Sequence, residues 1–476
     1  MAATFRSGFA TLEQEIAVDR LPTHGTVPSW LTGTLVRNGP AKFEVGAQQY
    51  KHWFDGLAML HKFSIEGGQI AYANKFLRSR AYTKAMQTGK ISYGEFATDP
   101  CRSIFSRIYT LFVPEPADNA AVNVTRIANH FVALTETPLP VEFDPHTLET
   151  LGFVEYEGKL PGQITTAHPH YDHARQALVS YLTHVSRVST YNVYAIPHGA
   201  THQTLIGSVP VPEPAYMHSF GMTERYVVLA EFCLFFNPIG MALKRKPYIG
   251  NTRWKPERGV RFLLLDRQDG KVVSTSQAEA FFAFHHINAF ELNGEVIVDV
   301  AAYPDPAIID RLFLNRLSQP DGGRIPTGEF RRYHLPIGGS NADYELLSDE
   351  AIELPRINYR LTNARDYRFA YGMSMRKDRP DDFLDQLVKV DVRERTARVW
   401  YADGCYPGEP VFVAAPTATA EDDGVVLSLV LDANNDNSFL LILAAGSFEE
   451  IARATVPQRI PLGLHGQFFD RITTAE

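Results

Sequence analysis

The feature that most constrains the fold of this chain is a repeated pattern of short apolar segments joined by tight turns. The aromatic and apolar stretch 281–291 is followed by Asn293-Gly294 and then by the apolar residues of 296–300. An Asn-Gly pair between two apolar runs is a strong signal for a β-hairpin. Gly67-Gly68 and Asp269-Gly270 stand between similar runs elsewhere in the chain. The sequence therefore predicts an all-β protein built from antiparallel strands.

Helical periodicity is clear in only two places. Asp305-Pro306 can start a helix that carries Ile308, Ile309, Leu312 and Phe313 on one face, and residues 99–112 show a similar amphipathic pattern. No Gly/Ser-rich linker divides the 476 residues, and no repeat is visible at the sequence level. We therefore expect a single domain over residues 15–476, preceded by a short N-terminal extension, 1–14.

Composition excludes several classes of protein. The net charge of −8 and the absence of a basic face argue against nucleic-acid binding. The three cysteines, Cys101, Cys233 and Cys405, are too scattered for a disulfide framework or a cysteine zinc site. The first 20 residues lack the apolar core of a secretory signal, and no run reaches the roughly 18 apolar residues of a membrane span. A cytoplasmic protein is expected.

Four of the 16 histidines have distinctive surroundings. His168 lies in Ala167-His168-Pro169-His170, His218 and His285 lie among apolar residues, and His465 stands between glycines that allow close backbone approach. Their separations of 50, 67 and 180 residues exclude a local zinc-binding motif but suit ligands that converge from separate strands. The spacing leaves two interpretations open, a four-histidine metal site or hydrogen-bonded core histidines.

A set of motifs carries a resemblance to a known family, the carotenoid cleavage oxygenases. These motifs extend from about Thr32 to Phe469. They are Arg37-Asn38-Gly39-Pro40, His52-Trp53-Phe54-Asp55-Gly56, Met59-Leu60-His61, Ala167-His168-Pro169-His170, Met217-His218-Ser219-Phe220, Phe284-His285-His286-Ile287-Asn288, Glu421-Asp422-Asp423-Gly424-Val425-Val426-Leu427-Ser428 and Leu464-His465-Gly466. The resemblance implies a seven-bladed β-propeller with a loop and helix cap over an axial metal site.

The same resemblance implies the residues of the site. Four histidines are expected to bind non-haem Fe(II): His168, His218, His285 and His465. Three glutamates are expected to contact the outer ring nitrogens of three of these histidines: Glu136 that of His218, Glu353 that of His285 and Glu409 that of His465. His170 and His286 are expected to be structural. Four neutral imidazoles leave the charge of Fe(II) intact, and an outer carboxylate fixes the tautomer of each ring.

The implied activity is Fe(II)-dependent cleavage, with O2, of a backbone C=C bond of a carotenoid or apocarotenoid to aldehyde products such as retinal. A retinoid isomerohydrolase on the same iron is the alternative. Stilbene-cleaving members of the family carry a lysine at the position of Thr135, so the threonine here favours the carotenoid-handling branch. Pro138-Leu139-Pro140 differs from the Asn-Phe that is usual in that branch. Two other classes, a Ca²⁺-dependent lactonase-type propeller and a scaffold without metal, would not need four converging histidines.

Because carotenoids are almost insoluble in water, we also expect peripheral contact with a membrane. The amphipathic stretch 99–112, which includes Phe105 and Leu111, and the apolar stretch 231–243 are the candidate segments. Neither is long enough to span a bilayer.

Overall fold

Strands joined by tight turns organise the chain into a ring of antiparallel sheets. The computed structural model describes residues 4–99, 117–237, 246–319 and 324–472. The strands are β1 (Ala17–Val18), β2 (Thr23–Gly25), β3 (Gly33–Lys42), β4 (Glu44–Val45), β5 (Gln48–Gln49), β6 (Leu57–Glu66), β7 (Gln69–Phe76), β8 (Asn123–Ile127), β9 (His130–Leu134), β10 (Val141–Phe143), β11 (Thr150–Phe153), β12 (Ile164–Thr165), β13 (His170–Asp172), β14 (Ala177–His184), β15 (Ser189–Pro197), β16 (Thr204–Val211), β17 (Gly221–Met222), β18 (Tyr226–Glu231), β19 (Leu234–Phe236), β20 (Thr252–Trp254), β21 (Val260–Asp266), β22 (Val272–Ala278), β23 (Phe282–Leu292), β24 (Glu295–Tyr303), β25 (Glu329–Pro336), β26 (Asp343–Leu346), β27 (Glu353–Ile357), β28 (Phe369–Ser374), β29 (Gln386–Asp391), β30 (Thr396–Trp400), β31 (Cys405–Pro407), β32 (Val411–Ala414), β33 (Gly424–Asp432), β34 (Asn437–Ala444), β35 (Glu450–Val456) and β36 (Gly466–Phe469).

Within the described residues, most of these strands form the seven blades of a β-propeller, and β4-β5 and β19-β20 form two separate two-stranded sheets. In strand order the blades are blade 1 (β1-β7-β6-β3-β36), blade 2 (β11-β10-β9-β8), blade 3 (β12 and β13 beside β14-β15-β16), blade 4 (β17-β18-β21-β22), blade 5 (β23-β24-β25-β26), blade 6 (β27-β28-β29-β30) and blade 7 (β31 and β32 beside β33-β34-β35-β2). The end strands β8, β36, β32, β27, β23 and β17 contact one another in turn and surround the axis. The predicted fold is confirmed.

The two ends of the chain close the ring together. The C-terminal strand β36 pairs with β3 of blade 1, so that Thr34 lies opposite Phe469. Strand β2, the second strand of the chain, pairs with β35 of blade 7, so that Thr23 lies opposite Ala454. Blades 1 and 7 therefore each contain strands from distant parts of the sequence. Closure of the ring depends on the backbone hydrogen bonds of the β3–β36 and β2–β35 pairs.

The predicted hairpin of blade 5 is present. Asn293 and Gly294 have positive φ angles of 52° and 85°, as expected for the two central residues of a tight hairpin turn. The pairing of β23 with β24 shifts register between Ala283 and His286 and again between His286 and Asn288. Such bulges bend a strand and redirect its side chains. They lie around His285, where the inner strand of the blade reaches the axis.

Short helices cap the sheets: Arg80–Thr88 (α1), Ala307–Arg311 (α2), Leu314–Leu317 (α3) and Tyr359–Thr362 (α4), with 3-10 turns at Phe5–Phe9, Trp53–Asp55, Ile249–Asn251 and Pro256–Arg258. A helix starts after Asp305-Pro306 as predicted, but it ends at Arg311 (α2). Phe313, which was predicted to lie on its apolar face, is extended and separates α2 from α3. Helix α1 was not predicted from the sequence; Ser79 caps its start by accepting a hydrogen bond from the Tyr82 amide.

The two candidate membrane segments differ in what the structure describes. Residues 100–112 of the first segment lie outside the described residues. In the second, residues 231–237 are described, and Phe232, Cys233, Leu234, Phe235 and Phe236 are all buried in the main core. This part of the second segment therefore packs inside the fold. None of the helices in the described ranges has the length and apolarity needed to cross a bilayer.

We predict that Gly25→Ala weakens the closure of the ring. Gly25 has φ +83°, and an added Cβ would lie 2.2 Å from the Ile451 carbonyl oxygen across the β2–β35 pair. Backbone strain and this clash together should lower the free energy of unfolding by about 2–4 kcal/mol, measured by urea denaturation. Gly67→Ala is the matched control, because Gly67 also has positive φ but open space at its Cβ. Equal losses in the two variants would contradict a role of Gly25 in closure.

Candidate metal centre

Each blade contributes one residue to a cluster on the propeller axis. The histidines come from blades 3, 4, 5 and 1, and the glutamates from blades 2, 6 and 7, in the order Glu136, His168, His218, His285, Glu353, Glu409 and His465 along the chain. His285 and Glu353 lie within β23 and β27, whereas the others lie in the loops that lead into or out of strands. His168 and His465, which are 297 positions apart in the sequence, thus belong to the same cluster.

The four histidines point their Nε2 atoms toward a common centre. The donor atoms of His168, His218, His285 and His465 all lie within 4.8 Å of one another. The Nε2 atoms of His168 and His218 are 3.0 Å apart, and those of His285 and His465 are 3.2 Å apart. Nitrogens at right angles around one ion, each about 2.1 Å from it, are about 3.0 Å apart. The spacing therefore fits a single bound metal ion.

A glutamate contacts the outer nitrogen of three of the rings. The Nδ1–H of His218 donates to Glu136 at 2.7 Å, and that of His465 donates to Glu409 at 2.7 Å. The Nδ1–H of His285 donates to Glu353. The three predicted pairs are present as predicted. No carboxylate among the described residues takes the corresponding place beside His168.

These carboxylates fix which ring nitrogen carries the proton. A carboxylate accepts the Nδ1–H, so a neutral ring keeps a lone pair on Nε2. The Nε2 atoms of His285 and His465 then face each other with two lone pairs and no shared proton. A cation between them removes the repulsion and uses both lone pairs. The donor set therefore fits a metal ion and does not fit a pair of neutral histidines joined by a hydrogen bond.

Burial favours the neutral form of the histidines. It lowers the pKa of His465 to about 3, although Glu409 acts in the opposite direction. Burial and the three neighbouring histidines hold the pKa of His168 well below its ordinary value, and burial also lowers the pKa of His285. Metal ligands must be deprotonated, so protons compete weakly for these nitrogens.

Two of the glutamates, Glu353 and Glu409, have lowered pKa values despite their burial. Burial alone would raise the pKa of Glu353, but its contacts with His285 and Tyr303 outweigh burial and lower it. Burial of Glu409 is likewise outweighed by Arg356, His465 and Arg37, which hold the pKa of Glu409 well below its ordinary value. Each buried carboxylate thus has partners that stabilise its negative charge.

Sequence reasoning did not identify those partners. The hydroxyl of Tyr216 donates to Glu136 at 2.8 Å, and that of Tyr303 donates to Glu353 at 2.6 Å. Arg37 and Arg356 both contact Glu409. The only available signal was the Arg37-Asn38-Gly39-Pro40 motif, in which Arg37 had no assigned role. The two tyrosines stand among other aromatic residues with nothing in the sequence to distinguish them.

The remaining predicted residues lie apart from the four Nε2 atoms. Both ring nitrogens of His170 have other partners, the Tyr359 hydroxyl and the Phe220 carbonyl, each at 3.0 Å. His286 Nδ1 contacts the Ser219 hydroxyl at 2.8 Å. Thr135 is half-buried beside Glu136. It is absent from the described walls of the two cavities that reach the histidines.

Two cavities of different character meet at this centre. A small cavity of about 60 Å³ has almost entirely apolar walls besides Tyr303, His218, His285, His465 and Glu353: Trp53, Phe54, Val122, Phe284, Ile308, Leu312, Ile325, Pro326, Leu354, Met373, Phe383, Leu384 and Leu464. A cavity of about 710 Å³ reaches His168, His285 and His465 past polar residues that include His170, Arg356, Tyr359 and Gln467. The close approach expected at the glycines beside His465 is confirmed, since a Cβ on Gly466 would lie 2.5 Å from the Val36 carbonyl oxygen.

Comparison with known proteins agrees with this architecture. The sequence profile of the family described as retinal pigment epithelial membrane protein matches residues 9–470. The chain is 34% identical to the mitochondrial carotenoid-cleaving dioxygenase of Mustela putorius furo, covering 96% of this chain and 95% of that protein. It is 32% identical to beta,beta-carotene 15,15'-dioxygenase of Homo sapiens, covering 96% and 93%.

Solved structures agree as well. Cobalt-substituted apocarotenoid oxygenase (ACO) from Synechocystis superposes with a TM-score of 0.85 at 26% identity, covering 98% of each chain. The profile match, the dioxygenase relatives and the shared propeller together show that this chain belongs to the retinal pigment epithelial membrane protein family, the carotenoid cleavage oxygenases.

Proposed function

We propose that this protein is an Fe(II)-dependent dioxygenase that cleaves a backbone C=C bond of a carotenoid or apocarotenoid to two aldehydes. The observation that carries the proposal is the set of four Nε2 atoms in His168, His218, His285 and His465 beside an apolar cavity. Support also comes from the relatives, which are named as carotenoid-cleaving dioxygenases. In the reaction, one O2 and one C=C bond yield two C=O groups.

The four histidines would hold Fe(II), and Glu136, Glu353 and Glu409 would orient three of them. A bound ferrous ion supplies the one-electron chemistry that allows O2 to react with an alkene. Because all four donors are neutral, the ion keeps its positive charge. The carboxylates hold Nδ1–H on His218, His285 and His465, so that these rings stay aimed at the centre and more basic than free imidazole.

The apolar cavity would hold the reacting part of the polyene against the metal. Phe54, Phe284, Ile308 and Leu312 form much of its wall and exclude water from the reacting carbons. Its volume of about 60 Å³ admits only a short segment of a long hydrocarbon. The rest of a carotenoid must therefore extend beyond this cavity. Thr135 is proposed as a further substrate-side residue on the family resemblance alone.

Isotopic oxygen tests the proposed reaction. Iron-loaded protein incubated with β-carotene or an apocarotenal under ¹⁸O2 should give two aldehydes that each carry one labelled oxygen atom. The products are reduced to alcohols as they form, because aldehydes exchange oxygen with water. Turnover without O2, or label entering only from H2¹⁸O, would contradict the dioxygenase and favour the retinoid isomerohydrolase alternative. The names of the relatives favour the dioxygenase.

A graded series of variants tests the proposed metal ligands and their glutamates. We expect His465→Ala to lose iron and activity, because one of four donors is removed. Glu353→Gln should fold but lower metal affinity or activity by about 10–100-fold, because His285 loses its anionic partner. Iron content by elemental analysis and the dissociation constant from chelator competition provide the measurements.

His170→Ala is the control for that series. It lies two residues from His168 but binds Tyr359 and Phe220, so it should retain iron while the free energy of unfolding falls by about 1–3 kcal/mol. Full iron occupancy in His465→Ala, or an unchanged dissociation constant in Glu353→Gln, would remove that residue from the proposed site.

Peripheral membrane contact through 99–112 is also proposed, supported by the amphipathic pattern of the sequence. Changing Phe105 and Leu111 together to Ser should reduce co-sedimentation with liposomes, because two apolar side chains no longer enter the bilayer surface. Iron content and activity on detergent-dispersed substrate should stay unchanged. Undiminished co-sedimentation would show that the substrate reaches the protein by another surface.

A further inference from the structure

The three glutamates behind the histidines have different partners. Glu136 accepts from the Tyr216 hydroxyl at 2.8 Å, and Glu353 accepts from the Tyr303 hydroxyl at 2.6 Å. Glu409 contacts two guanidinium groups, those of Arg37 and Arg356, besides the Gly466 amide at 3.0 Å. The distance from Arg356 Nε to Glu409 Oε1 is 2.8 Å. That same oxygen accepts the Nδ1–H of His465 at 2.7 Å.

The charge around the centre is therefore uneven. A tyrosine hydroxyl carries no charge, so Tyr216 and Tyr303 bring no positive charge to Glu136 and Glu353. In the described parts of the chain, neither of them forms an ion pair with an arginine or lysine. Glu409 is only 1% exposed and lies between two cations. A carboxylate shared with two guanidinium groups accepts a proton or hydrogen bond less strongly than one bonded to a hydroxyl.

We propose that Arg356 tunes the metal centre by neutralising Glu409 and so limits the electron density that His465 gives to the metal. This inference rests on the proposed iron site. Arg356 is a positioning residue that acts through Glu409, and its Nη2 donates to the Gly466 carbonyl next to His465. Without its positive charge, Glu409 becomes a stronger acceptor and His465 a stronger donor. Both effects stabilise Fe(III) more than Fe(II).

Arg356 is the arginine of the pair that can be tested most cleanly. Arg37 is 3% exposed and also binds the Leu464 carbonyl at 2.7 Å, so its replacement disturbs the core. Arg356 is 23% exposed and lines the polar cavity of about 710 Å³. A small planar molecule can therefore enter the space left when its side chain is shortened.

The experiment measures the Fe(III)/Fe(II) midpoint potential of iron-loaded protein by anaerobic redox titration. Arg356→Gln and Arg356→Ala should both have a more negative potential than the parent. Arg356→Lys, which keeps the charge, should stay closer to the parent than Arg356→Gln. Added guanidinium ion at millimolar concentration should return the Arg356→Ala potential toward the parent value. Urea, which has the same shape without charge, should not.

Arg261→Gln is the matched control. Arg261 Nε contacts Glu231 at 2.6 Å, and Glu231 is also 1% exposed. Among the described residues, the hydrogen-bond partners of the Glu231 side chain are Arg261 and Tyr191, not the four histidines or their glutamates. The control variant should lose stability without a change in potential. A change as large as that of Arg356→Gln would show that the potential responds to general loosening of the fold.

Three results would overturn the inference about Arg356. These are an unchanged or more positive potential in both neutral variants, equal rescue by urea and guanidinium, and loss of iron from both neutral variants. The last would mean that Arg356 is needed to hold Glu409 in place rather than to tune its charge. A parent protein that binds no iron would instead contradict the proposed function itself, so the two failures are distinguishable.

Discussion

The hydrogen bond from a histidine Nδ1 to a buried carboxylate is the interaction on which the centre depends. It leaves the Nε2 lone pair free and aims the ring at the axis, so three such bonds orient three of the four donors. It also requires a negative charge in a poorly hydrated place, since Glu353 is 8% exposed and Glu409 is 1% exposed. Burying an ionised carboxylate is costly unless other groups stabilise it. The tyrosines and arginines around the glutamates are a consequence of that requirement.

The propeller makes this arrangement possible from residues that are far apart in sequence. One residue from each blade reaches the axis, so none of the metal-centre contacts is local. The inner strands are irregular where they reach it: β23 has bulges around His285, and β27 shifts register between Glu353 and Arg356. Leu354, inside that second irregularity, adopts φ +45°, which is uncommon for a residue with a branched side chain. Regular strands alone would place side chains alternately on the two faces of each blade.

The sequence predicted the strand-rich fold, the hairpin at Asn293-Gly294 and the surroundings of the four histidines, because these are local patterns. The resemblance supplied the blade number and the glutamate pairs. The bulges, the role of Arg356 and the Tyr303 contact were not predictable, since they depend on which side chains face each other between blades. Helix α1 was missed because its sequence, Arg80 to Thr88, has only Ala81 and Ala85 as buried residues and no strong apolar stripe. The segment after Asp305-Pro306 was predicted as one helix, but the extended Phe313 divides it.

The same contacts determine how much positive charge a bound divalent ion retains. Three carboxylates and two guanidinium groups around the histidines leave one net negative charge, so the centre with a divalent ion remains cationic. The donors are then unequal: His218 and His285 have glutamates bonded to neutral hydroxyls, His465 has a glutamate shared with two arginines, and no described carboxylate contacts His168. Because both cavities reach His285 and His465, the unequal donors lie where polar and apolar surroundings meet. The proposed reaction of O2 beside a hydrocarbon would need electron-rich donors on an ion that keeps its positive charge, and this distribution of partners satisfies both requirements.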